Sequence, residues 1–205
     1  MIAAATRPPF WLVLLFALGA HGAAALAGEI AFTARVGDLG LQTGHIARGL
    51  TRKDSVTVTL PGVRFAPPRR LDIVPRAEAD RTTPAGALQS DFSAWKADDA
   101  DWIRENFAAK ERPAITAFLT DPEMRAASRA GFARYDAAYL WSVVSYGDYA
   151  LALFTYGQGE VRAFGLTATF VFEDGGWRKS NALSRDETLD IVWTAFRQGD
   201  LSAAE

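Results

Sequence analysis

Between residues 135 and 156 the chain gathers an acid with aromatic side chains that carry polar tips: Tyr135, Asp136, Tyr139, Trp141, Tyr146, Tyr149 and Tyr156. Tyr139 and Trp141 are two residues apart, which puts them on one face of a strand, and Asp136 sits just before it. A carboxylate withdrawn from water can act as a general base, and a tyrosine hydroxyl can steady an oxyanion. Asp136, Tyr139, Trp141 and Tyr149 are therefore the candidate contacts for a small apolar or aromatic ligand. The same residue types also gather on half-buried sheet surfaces simply because they bury area while keeping a polar tip wet.

Other chemistry is sparse. The chain has no cysteine, which excludes disulfides, thiolate metal sites and a cysteine nucleophile. It has two histidines, His21 and His45. Neither a histidine-rich zinc site nor a Ser-His-Asp triad is written locally around either, and His45 reads as an exposed loop residue between Gly44 and Ile46. Asp98, Asp99 and Asp101 form the densest carboxylate cluster. They lack the glycine and distal glutamate of an EF-hand loop and read instead as acids at the start of a helix. No metal site and no cofactor are expected. Arg69-Arg70 and Arg178-Lys179 read as solvated edges. No catalytic motif stands out, so enzymatic activity is left open. A net charge of −2 over 205 residues lacks the basic excess of a nucleic-acid binder.

The elements that must position these residues are legible from period and punctuation. Residues 137–183 read as four strands joined by tight turns at Tyr146-Gly147-Asp148-Tyr149, Tyr156-Gly157-Gln158-Gly159 and Asp174-Gly175-Gly176-Trp177. The strands are expected over 138–146, 149–156, 161–173 and 177–183. In the third, Phe164, Leu166, Ala168, Phe170 and Phe172 share one face, and Ala163, Gly165, Thr167, Thr169 and Val171 the other. The greasy face needs a cover of helices. The small, threonine-bearing face is a candidate surface for a homodimer formed through the sheet.

Before the meander, Thr83-Pro84 and Asp121-Pro122 each spell a cap followed by a proline at the first helical position. Leu88, Phe92 and Trp95 mark a buried stripe, the Ala97–Asp101 step breaks the helix, and Pro113 opens a further one. After the meander, Ser184 with Glu187 reads as a capping box for a last helix over 184–198, closed by Gly199. Earlier still, 29–36, 55–60 and 71–74 read as strands. Pro61, Pro67 and Pro68 interrupt them and would confine any strand containing them to an edge. Residues 76–82 are the best linker candidate. Whether 28–76 joins the main sheet is open at this level. The fold class is α+β: N-terminal helices packed on a curved, cone-like antiparallel sheet, with extra N-terminal strands and a C-terminal helix.

The chain opens with Arg7, an apolar run over 10–20 and the small-x-small triplet Ala25-Leu26-Ala27. That pattern matches an export signal cleaved after Ala27, and the rival is an uncleaved anchor. Three segments follow: 1–27 as signal peptide, 28–82 as a β-rich segment plus linker, and 83–205 as an α+β domain. The product would be periplasmic or secreted, with no membrane span after signal removal.

Residues 83–183 resemble the nuclear-transport-factor-2-like superfamily, which includes SnoaL-like proteins. The residues that carry this are Thr83-Pro84-x-x-Ala87-Leu88-x-x-Asp91-Phe92, the Lys96-Ala97-Asp98-Asp99 helix break, and a meander ending in Gly175-Gly176-Trp177-Arg178-Lys179. The resemblance implies a pocket between helices and concave sheet, and a fold that hosts enzymes, binding modules and assembly domains. The 184–198 helix and residues 28–76 depart from the minimal fold. The expected function is an exported, non-enzymatic binding or protein-interaction module of the cell envelope. Its partner is a protein or a small ligand. The alternative is a cofactor-free isomerase, dehydratase or cyclase using an Asp/Tyr pocket.

Overall fold

A computed structural model describes residues 24–40, 46–159, 161–162 and 165–199. The described strands form one antiparallel sheet in the order β1-β2-β3-β4-β6-β7, with the two-residue β5 pairing β4. They are β1 (Ala24–Arg35), β2 (Ser55–Asp72), β3 (Ala137–Tyr146), β4 (Tyr149–Gln158), β5 (Val161–Arg162), β6 (Leu166–Glu173) and β7 (Gly176–Ser180). Between β2 and β3 the chain makes four helices, α1 (Pro84–Ala97), α2 (Ala100–Glu105), α3 (Arg112–Thr120) and α4 (Pro122–Ala133). A fifth, α5 (Glu187–Arg197), follows β7. The α+β class is as the sequence reads: antiparallel sheet, helices before the meander, and a helix at the end.

Local chemistry explains the helix ends. Thr83 accepts a hydrogen bond from the Gly86 N–H at 3.1 Å and Pro84 starts α1. Asp98 ends α1 in the left-handed region at φ 51°. Asp99 then accepts from the N–H groups of Asp101 and Trp102 to start α2. Those bonds, made to the charged form, hold the Asp99 carboxyl below its usual pKa. Asp121 caps α4 in the same way.

Three readings are corrected. The proline-bearing stretch is not an edge but the long internal strand β2, held between β1 and β3. Its prolines fall where no ladder bond to β3 is needed. Pro61 lies just beyond the first β2–β3 pair, Gly62↔Val144, and Pro67 and Pro68 lie inside the register slip between Arg64 and Arg69. The expected 161–173 strand is interrupted before β6. At Gly165 a β-carbon would come within 2.8 Å of the Phe196 ring, so the last helix presses on the backbone there. The cap of α5 is Asp186 rather than Ser184: its carboxylate accepts from the Leu189 N–H at 3.0 Å. His45, Ala163 and Phe164 lie outside the described residues, as does most of the expected signal. Its last residues, Ala24 to Ala27, form the start of β1, paired with Ala66 to Val63.

The sheet divides two cores. Ala138, Leu140, Ala150, Ala152, Phe154, Tyr156, Ala168 and Phe170 pack with Leu88 and Phe92 of α1. Ile30, Phe32, Leu60, Val144, Leu151 and Leu153 pack on the other face with Val192, Ala195 and Phe196 of α5. The small β6 face is thus not a bare pairing surface. Thr169 is buried, and α5 of the same chain lies over this side. No helix among the described residues is long and apolar enough to cross a membrane.

Candidate functional site

The four residues singled out for ligand contact are not brought together. Tyr139 stands opposite Thr155 on the α5 side of the sheet. Its hydroxyl accepts from the Arg70 guanidinium at 2.8 Å, and that guanidinium also stands 5.7 Å from the ring centroid. Trp141 falls at the β3–β4 register slip. Its indole N–H donates to Thr155 Oγ1 at 3.3 Å and its ring meets Phe196 edge-on. Asp136 is exposed and accepts from the Gly159 N–H at 3.0 Å, a turn-closing bond. Tyr149 sits at the opposite end of β4, six residues from Thr155, which is about 20 Å at ~3.3 Å per residue.

The interior holds a polar group that sequence reasoning passed over. Asp91 of α1 is fully buried and accepts from Lys179 Nζ at 2.8 Å and from the Trp95 indole N–H at 3.1 Å. Beside it, Tyr156 is buried among Phe92, Phe132, Tyr135 and Phe154. Desolvation, reinforced by the Asp91 charge, pushes the Tyr156 hydroxyl well above its usual pKa. The arrangement ties α1 to β7: Lys179 reaches across from the sheet and lies over the Phe107 ring. Its chemistry is that of a satisfied ion pair between a buried carboxylate and a half-buried ammonium.

The open site lies on the other side. A cleft of about 480 Å³ runs beside the start of α5, lined by Gly40, Leu166, Thr167, Leu183, Ser184, Asp186, Leu189, Asp190 and Trp193. Its walls are mostly apolar, with two carboxylates and two hydroxyls among them. Asp190 is buried and accepts from the Gly40 N–H at 3.3 Å. Asp186 caps α5 and accepts from the Tyr146 hydroxyl at 3.1 Å. Trp193 is held by its N–H to Gly165 O at 3.4 Å and by the Arg197 guanidinium 4.8 Å from its ring. An apolar seat with a few placed polar groups is the usual make-up of a small-molecule site.

This cleft was legible in one respect. Asp186, Asp190 and Trp193 recur at i, i+4 and i+7, so they share a helix face that is neither wholly apolar nor wholly charged. Leu189, Val192, Trp193 and Phe196 also fall at helical spacing in the sequence, and that apolar stripe makes the two acids inconspicuous. Among the described residues no group of three or more histidine, cysteine, aspartate or glutamate side chains could hold a metal ion.

No family model and no curated protein matches the chain. Among solved structures it is similar to the solution structure of a SEC-C motif containing protein from Rhodopseudomonas palustris. The identity is 18%, the match covers 48% of this chain and 76% of that one, and the TM-score is 0.35. At that score the likeness fixes neither fold nor function. The nuclear-transport-factor-2-like, SnoaL-like reading of residues 83–183 is corrected: no such family model matches the chain. The motifs behind that reading do local work that any fold can use: a threonine cap, a left-handed helix break and tight hairpin turns.

Proposed function

We propose that this chain is an exported, non-enzymatic binding module whose ligand seat is the cleft beside α5. The observation that carries the reading is the cleft itself: about 480 Å³ of open, mostly apolar space with the Asp186 and Asp190 carboxylates at its wall. Such a site suits a small apolar or aromatic molecule bearing a donor group that the carboxylates can accept. Export rests on the N-terminal residues, Arg7, the apolar run and Ala25-Leu26-Ala27, and places the protein in the periplasm or outside the cell. An isomerase, dehydratase or cyclase built on Asp136 needs a desolvated base, and Asp136 is exposed and already engaged by the Gly159 N–H.

Native mass spectrometry of the protein recovered from the envelope fraction of its own cells tests both halves. The expected species lacks residues 1–27 and carries a non-covalent small molecule. Trp193→Ala, which strips the aromatic wall, loses that molecule while the chain stays folded. A full-length mass overturns export, and a bound molecule unaffected by Trp193→Ala overturns the cleft as its seat.

A further inference from the structure

The sheet has two edges, and they are treated differently. β7 is five residues long and its outer side is closed by the chain itself. The Lys179 N–H donates to Asn106 O at 2.7 Å, and the Ala108 N–H donates to Lys179 O at 2.9 Å. β1 is 12 residues long, of which residues 28–35 remain after the proposed cleavage, and no described segment pairs with its outer side. It carries no proline, no lysine and no register slip against β2, the devices that usually keep an exposed edge from pairing. Its two charged residues, Glu29 and Arg35, are both exposed. They point to the face that α5 does not cover, while Ile30, Phe32 and Ala34 between them are buried on the α5 side.

We propose that β1 is the docking edge for a second copy of this chain, paired antiparallel about a two-fold axis at Phe32, so that two sheets become one. Glu29 then lies opposite the partner's Arg35, and Arg35 opposite the partner's Glu29. Ala31 faces the partner's Thr33, and Ile30 the partner's Ala34. The register follows from charge. Opposite side chains must share a face, so a two-fold pair of antiparallel strands can shift only two residues at a time. One such shift sets Arg35 against the partner's Ala27, the other against the partner's Ala31, and both charge pairs are lost. Only the axis at Phe32 satisfies all four charges. It also keeps both α5 helices on one face and continues the buried Ile30, Phe32 and Ala34 row across the junction. Cleavage after Ala27 leaves residues 29–35 whole, and the cleft beside α5 is untouched, so this dimer stands or falls separately from ligand binding.

The test is the mass of the purified exported protein in solution at micromolar concentration, by light scattering. The wild type is expected to be a dimer. Arg35→Glu turns two attractive pairs into two repulsive ones and weakens dimerisation roughly tenfold. The double variant Glu29→Arg with Arg35→Glu restores it, which no unfolding effect would do. The register is read independently in this cysteine-free chain. Ala31→Cys chains mixed with Thr33→Cys chains form a disulfide-linked pair on oxidation, since directly opposite positions lie within bridging distance. A monomeric wild type, a dimer indifferent to Arg35→Glu, or failure of the mixed chains to cross-link overturns the proposal.

Discussion

The two faces of the sheet are built to different ends. One lies under the α1–α4 layer and is packed with rings, with Phe172 at the end of β6 left exposed. Phe92 stacks on Tyr156 at 5.1 Å, Tyr135 stacks on Tyr156 at 5.1 Å, and Trp95 stacks on Phe132 at 5.3 Å. Its one buried acid, Asp91, is paired with Lys179. Among the described helices, α5 is the one that lies on the other face, with Val36, Leu39 and Ala47 packed beside it. One helix is about 10 Å across, too narrow to cover a sheet of this breadth. Beside α5 the half-buried Thr167 lines the cleft, while the half-buried Trp141 meets Phe196 and Tyr146 donates to Asp186. On the proposed reading the contrast separates stability from recognition: under the helical layer side chains serve packing, and beside α5 they stay open to the proposed ligand.

The contrast is broken most directly by emptying the sealed side. Phe92 is fully buried at the centre of the ring cluster. Phe92→Ala should cost about 4 kcal/mol, from lost transfer energy and the cavity left among rings that cannot collapse. Urea unfolding reads this as a drop in midpoint with unchanged slope. Trp193→Ala, on the half-covered side, should cost about 1 kcal/mol, because its ring is only partly removed from water. Similar losses from the two would mean that both faces carry stability alike.

This asymmetry also marks what the sequence could and could not say. Helix starts were legible because threonine and aspartate followed by proline satisfy orphan N–H groups by local chemistry. The four-strand meander was legible because its turns are short and rich in glycine. The internal placement of β2 was not, because the rule that bars proline from a central strand assumes a regular ladder, and β2 slips its register between Arg64 and Arg69 to accommodate Pro67 and Pro68. The spacing of the four candidate contacts was not legible for a related reason. Residue type put Asp136, Tyr139, Trp141 and Tyr149 together, but a strand carries such residues along its length, and β4 holds Tyr149 far from Thr155 and its neighbour Tyr139. Nothing in the spacing of Asp190 marks a partner, and only the packing of α5 shows that its carboxylate meets Gly40.

A second test uses pH. The folded-state pKa of Tyr156 is raised by burial, so the folded chain holds that proton where the unfolded chain releases it. Its stabilising effect is complete below the unfolded value of ~10 and is lost as pH rises above it. The slope approaches about 1.4 kcal/mol per pH unit for one proton. Tyr156→Phe removes this group's share. The difference between wild type and variant, measured by urea unfolding from pH 9 to 11, should therefore change in the variant's favour above pH 10. A constant difference would show that the hydroxyl is as well solvated in the fold as in the open chain, and the sealed face would not be sealed.

The smallest effect should come from Asp186→Asn, and it sharpens the comparison most because this residue belongs to both categories. It caps α5 through the Leu189 N–H and receives the Tyr146 hydroxyl, and it also lines the cleft. Asp186→Ala removes the cap and should cost about 1 kcal/mol. Asp186→Asn keeps an acceptor of nearly equal capping strength and should cost only a few tenths of a kcal/mol. If the cleft reads a donor group on its ligand by charge, the asparagine variant weakens binding although stability is retained, since a hydrogen bond to an ionised acceptor is roughly twice as strong as one to a neutral acceptor. If binding and stability instead fall together across the two variants, the carboxylate serves the helix alone. The apolar walls, Trp193 foremost, would then carry recognition by themselves.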